Sequence, residues 1–199
     1  MLEFISFELR YRLKRPATYI YFLALLLTAF GSSSSNFLSI GSGNKEVMLN
    51  GPYIVIFSDV ILMFLAVFIS SAIMGVPVLR DYESRMQSLI YSSPITKINY
   101  LGGKFIGSFI VLIFIVSGLV FGQALGHGFE WPWVEAGRLQ AFNWMVYWNP
   151  FFLLILPALF FTGTVFFAAG TLSRRMTTVY AQGALLLLGY QLSRIALGN

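Results

Sequence analysis

At 199 residues, 57% apolar, 17% aromatic and only 11% charged, the chain lies far from the soluble average of about 25% charged. With a mean hydropathy of +0.76, it reads as one all-α integral membrane domain whose core is helices packed in lipid. The absence of cysteine excludes disulfides and cysteine-ligated metal sites. The net charge of +5 comes from basic residues that bracket apolar runs, a pattern of membranes rather than of nucleic-acid partners.

Residues 1–15 read as an interfacial helix, with Leu2, Ile5, Leu9 and Leu13 on one helical face and Phe4, Phe7 and Tyr11 on the other. A first span of about 17–38 follows the basic residues Arg10, Arg12, Lys14 and Arg15. The same basic cluster, apolar stretch and Ala29-Phe30-Gly31 also fit a cleaved signal peptide. The long leading segment with Glu3 and Glu8 speaks against cleavage. Residues 39–52 are Gly, Ser, Asn and charge, a loop by composition. The second span, 53–79, holds one acidic residue, Asp59, at a depth of roughly 10 Å by helix rise.

A polar island, 80–104, separates the second span from the third. Tyr82, Met86, Leu89 and Ile90 recur at helical spacing while Asp81, Glu83, Arg85 and Gln87 take other faces, which predicts a short amphipathic helix. Ser93-Pro94 ends it, because the residue before proline avoids the helical region. Thr96 is placed to cap the next helix, and Lys104 marks its passage into the membrane. By pattern alone, a solvated connector explains this segment as well as a functional one.

The third span, about 105–126, is uncharged and carries Gly118, Gly122 and Gly126, a small-x-x-x-small ridge for close helix packing in lipid. Residues 126–149 hold all four tryptophans, Trp131, Trp133, Trp144 and Trp148. Such rings favour the headgroup zone, so this loop is an interfacial anchor or a gate over an exit path. A fourth span at about 150–172 and a fifth at about 178–197 complete the reading of about five transmembrane helices. Helix is the only reading of these runs, because lipid offers no partner to an unpaired amide. Arg194 lies within the fifth run and either pairs with Asp59, snorkels to the headgroups or, like Asp59, meets substrate.

With a cytoplasmic amino terminus, ten Lys and Arg fall inside (10, 12, 14, 15, 80, 85, 97, 104, 174 and 175) and two, Lys45 and Arg138, outside. That asymmetry places the island in the cytoplasm and 126–149 outside. A serine–histidine dyad stays open by counting, but nothing marks a particular serine as activated. His127 is the single histidine, so paired haem ligands and an H-E-x-x-H site are excluded. Asp59 and Asp81 are the two aspartates, and Asp81 belongs to the island, so no membrane aspartyl dyad forms. Gly102-Gly103-Lys104 lacks the lead-in and the following Ser/Thr of a phosphate-binding loop. No catalytic residue, metal or cofactor of its own is expected.

The succession Arg80-Asp81-Tyr82-Glu83-Ser84-Arg85-Met86, Ser93-Pro94-Ile95-Thr96 and Tyr100-Leu101-Gly102-Gly103-Lys104 resembles the first cytoplasmic loop of ABC exporter permeases of the ABC-2 superfamily. Phe7 to Pro16 resembles the interfacial elbow helix of that family. The resemblance implies that the island is a coupling helix docking on a separate ABC ATPase subunit, which binds the ATP. Asp81, Tyr82, Glu83, Arg85, Met86, Leu89, Pro94 and Lys104 would carry the coupling. It further implies a second permease unit, in a homodimer or pseudo-dimer, and a location in a bacterial inner membrane. The opening through Tyr21 is similar to proteins that fuse such a permease to a membrane-anchored aminopeptidase, but no peptidase signature is present. The family usually has six spans, so five imply a fragment or an atypical assembly. Two competing classes are a non-transporting membrane scaffold or anchor and an intramembrane hydrolase. Lipids, peptides, drugs and polysaccharides all remain open as substrates.

Overall fold

The computed structural model describes residues 1–34, 47–83, 96–129, 131–132, 137–173, 175, 177–178, 181–185 and 188–189, with residues 82–83 described in their backbone alone. All regular structure among them is helical. The elements are α1 (Leu2–Leu13), α2 (Pro16–Ser34), α3 (Pro52–Met74), α4 (Val76–Glu83), α5 (Lys97–His127), α6 (Met145–Pro150), a π-helical turn (Phe151–Ile155) and α7 (Leu156–Ser173). Four stretches are long and apolar enough to cross a membrane: Pro16–Ser34, Pro52–Asp81, Lys97–His127 and Met145–Ser173. The chain is therefore a multi-pass membrane protein. The expected fifth span, 178–197, lies mostly outside the described residues.

Prolines set the boundaries. Pro16 and Pro52 open α2 and α3, where a missing amide hydrogen costs nothing and φ is already helical. Pro77 breaks the ladder between α3 and α4, since it has no N–H for the carbonyl of Ile73 four residues back. Pro150 does the same for Val146, and the chain answers with the π turn, in which the N–H of Leu156 donates to the carbonyl of Phe151. Asn99 donates its backbone N–H to Thr96 Oγ1 at 3.3 Å, the side-chain cap expected there.

Two helices start earlier than their hydropathy implies. The helix α5 begins at Lys97 rather than near 105, because Thr96 caps it and Lys104 finds partners inside the fold. The fourth span begins at Met145 rather than near 150, where Asn143 Oδ1 accepts the Met145 N–H at 3.0 Å.

The chain forms two compact units. The first comprises residues 1–14, 67–112 and 159–199. Within it α1 lies so close to α5 that a Cβ at Gly103 would come 2.6 Å from Phe4 Cβ, and one at Gly107 2.9 Å from Glu8 Cβ. Phe105, Phe109, Phe160 and Phe167 form an edge-to-face aromatic cluster with centroids 5.3–5.8 Å apart across α5 and α7.

The second unit comprises residues 15–66 and 113–158. Here Gly118, Gly122 and Gly126 of α5 face α2. A Cβ at Gly118 would sit 2.8 Å from the Phe22 carbonyl, one at Gly122 would collide with the Leu26 carbonyl, and one at Gly126 would sit 2.6 Å from Ser33 Cβ. This backbone-to-backbone approach is how helices gain dispersion energy where lipid removes the hydrophobic drive. The lipid side is visible in the exposed Leu23, Leu27, Ile56 and Leu153.

Gly122→Val should push the Leu26 carbonyl and Ala29 of α2 away from α5 and destabilise the protein by about 1–3 kcal/mol. Gly31→Ala, where a Cβ meets nothing within 4 Å, should be neutral or mildly stabilising. Thermal unfolding in detergent, followed by far-ultraviolet circular dichroism, reads both.

Candidate functional site

The densest polar chemistry in the first unit flanks the loop between α4 and α5. Arg80 and Asp81 end the helical run below Pro77, Tyr100 and Lys104 occupy the first two turns of α5, and Glu8, Tyr11 and Arg12 come from α1. Glu8 is fully buried and accepts from Arg12 Nε through Oε1 at 2.7 Å and from Arg80 Nη2 through Oε2 at 2.8 Å. Arg12 also donates from Nη2 to the Ile73 carbonyl at 2.8 Å, the acceptor that Pro77 leaves without a helical partner. The Arg80 guanidinium stands 4.0 Å from the centroid of the Tyr11 ring, a cation–π contact.

The other half of the cluster closes the loop. Asp81 Oδ2 accepts from Tyr100 Oη at 2.6 Å and from Lys104 Nζ. Lys104, 3% exposed, also donates to the Pro77 carbonyl at 2.7 Å. Asp81 Oδ1 lies 3.9 Å from Arg80 Nε, which joins the two halves. Two carboxylates thus face three cations. Burial pulls the Arg12 guanidinium below its ordinary value, and the adjacent Glu8 carboxylate opposes that shift.

This arrangement assigns sequence-predicted residues differently. Asp81 and Lys104 were expected to carry the coupling, with Lys104 marking the membrane entry; both are buried and bonded to each other. The side chains of Tyr82 and Glu83, and Arg85, Met86, Leu89 and Pro94 entirely, lie outside the described residues. Glu8, Arg12 and Tyr100 were not singled out. Their available signals were the Glu8–Arg12 spacing of four, which favours a helical ion pair, and the Gly103–Gly107 spacing that admits α1.

The second unit holds a smaller polar group. Gln123 Nε2 donates to Asp59 Oδ1 at 2.7 Å, both residues being buried. Arg194, the expected partner of Asp59, lies outside the described residues. One turn on from Gln123, His127 Nδ1 lies 3.3 Å from the Tyr147 hydroxyl. Trp131 donates its indole N–H to the Gly126 carbonyl at 2.9 Å and packs edge-on against Phe30. Among the described residues no group of His, Cys, Asp and Glu could hold a metal ion.

The family model described as ABC-2 family transporter protein matches residues 31–195. The chain belongs to that family. It is an ABC-2 transporter permease, a membrane domain. No curated protein and no solved structure matches it. The match spans α3 to α7 and the loop between α4 and α5, while α1 precedes it.

In this ABC-2 permease, Glu8→Gln should strand the buried Arg12 guanidinium and the partly buried one of Arg80. Removing one member of a buried ion pair costs about 3–5 kcal/mol. The Glu8→Gln protein in detergent should unfold well below the parent, whereas Glu3→Gln, on the exposed face of the same helix, should match it.

Proposed function

We propose that this ABC-2 permease is the membrane-spanning subunit of an ATP-driven exporter, receiving motion from a separate ABC ATPase subunit through the loop 80–104. The observation that supports this reading most is the ion-pair cluster at the foot of that loop. Asp81 on one side is tied to Tyr100 and Lys104 on the other, and Arg80 is tied to Glu8 of α1. A force applied between residues 82 and 96 therefore acts on α4, α5 and α1 together. A solvated connector has no need of a buried, charge-paired foot.

Tyr82, Glu83, Arg85, Met86, Leu89 and Pro94 form the docking segment in this reading, with Met86 and Leu89 filling an apolar groove on the ATPase. Asp81 and Lys104 act one step back, as positioning residues. The ATPase supplies the ATP site, and two permease units, identical or not, complete the transporter. Loop 80–104 and the amino terminus face the cytoplasm, while 126–149 faces outward, as the basic residues dictate. ATP-driven closure of the ATPase subunits would move residues 80–95 and swing the spans between inward-open and outward-open states.

Met86→Ser/Leu89→Ser removes two apolar anchors worth roughly 1.5–3 kcal/mol each when buried. Transport-linked ATP hydrolysis by the reconstituted complex should collapse while the variant still inserts. Unchanged coupling, or purification of the native complex without any ATPase, would favour a scaffold or anchor instead.

Orientation has its own check. The chain lacks cysteine, so Ser88→Cys and Ala141→Cys give clean reporters; Ala141 is exposed and avoids the positive φ of Gly137. An impermeant maleimide applied to intact cells should label the second and spare the first. The reverse pattern sinks the topology.

A further inference from the structure

We propose that the outward face of α1 is a binding site for the phosphodiester headgroup of an anionic phospholipid, gripped by Arg10 and Lys14. The helix divides its charges by direction. Glu8 and Arg12 turn inward and pair. Glu3, Ser6, Phe7, Arg10, Tyr11 and Lys14 recur at helical spacing and line an open cleft of about 520 Å³. Arg10 and Lys14 are exposed. Neither forms an ion pair with a carboxylate among the described residues.

The cleft carries the marks of an interface between headgroups and acyl chains rather than of open water. Phe7 is 57% exposed, and Leu2 and Leu13 on the same helix are 79% and 40% exposed. Lys14 stands two residues before Pro16, which opens a membrane-crossing helix. The two cations therefore lie at headgroup level, with apolar surface beside them for the glycerol and upper acyl chain. Glu3, the carboxylate of the cleft, lies seven residues from Arg10, roughly 10 Å along the helix. That separation confines the anion to the Arg10–Lys14 end.

A lipid is favoured over a soluble phosphate because two flexible cations alone hold a free anion weakly, whereas a lipid is already concentrated at this plane. Each Lys or Arg near an anionic membrane surface contributes about 1 kcal/mol. Losing both should lower affinity roughly 30-fold.

The test is native mass spectrometry of the full chain in detergent, titrated with dioleoylphosphatidylglycerol or dioleoylphosphatidylcholine. The parent should retain the anionic lipid preferentially. Arg10→Gln/Lys14→Gln should lose that preference, and Arg10→Lys/Lys14→Arg should keep it. Lys97→Gln, an exposed cation on α5, should behave as the parent, and millimolar inorganic phosphate should not displace the lipid. Equal retention of the two lipids by the parent, an unchanged neutral double variant, an equal loss in Lys97→Gln, or efficient competition by phosphate would each overturn the proposal. The assay needs no ATPase, so its outcome is independent of the coupling reading.

Discussion

A charged side chain held out of water at a membrane boundary has to bring its counter-charge and its hydrogen-bond partners with it. Five such side chains meet beside the loop between α4 and α5. Glu8 sits between Arg12 and Arg80, and Asp81 receives Tyr100 and Lys104. Desolvation makes each of these groups costly alone, while mutual pairing and hydrogen bonds offset that cost. The backbone takes part as well. Pro77 withholds an amide from the Ile73 carbonyl, and Arg12 supplies the missing donor across 61 residues of sequence. A helix break that would otherwise expose an unsatisfied acceptor becomes an anchoring point for α1.

The cluster depends in turn on close helix approach. Glu8 reaches its partners because Gly103 and Gly107 carry no side chain where α1 crosses α5. The ridge of Gly118, Gly122 and Gly126 serves α2 in the same way within the second unit. The helix α5 is thus glycine-lined on the surfaces that meet α1 and α2, and 61% of its most apolar window is buried, against 22% for α2. The loop-flanking charges Asp81 of α4 and Lys104 of α5 are spent inside the fold.

How much of this could be read from sequence follows the range of the interactions involved. The apolar runs and the Thr96 cap are local, and both were legible. The direction of α1 was not. Its apolar stripe of Leu2, Ile5, Leu9 and Leu13 reads as a membrane-interface face, and Leu2 and Leu13 are exposed, but nothing in that pattern pointed to the burial of Glu8 and Arg12. Hydropathy misleads there because the compensating groups lie far along the chain: Arg80 is 72 residues from Glu8. Asp81 and Lys104 were recognised as belonging to one functional segment, but residue type cannot say whether a charge faces a partner protein or a neighbouring helix. Asp59 has a similar history. A search for its counter-charge pointed to Arg194, whereas its described partner is the neutral amide of Gln123, which a count of charges passes over.

The central claim is that Asp81 and Lys104 act as one element that closes the foot of the loop. A double-mutant cycle of Asp81→Asn and Lys104→Met tests it most directly, read as substrate-stimulated ATP hydrolysis by the permease reconstituted with its ATPase. If the pair is one element, each single variant uncouples hydrolysis and the double variant is no worse than either. Additive losses, or single variants that couple like the parent, would contradict it.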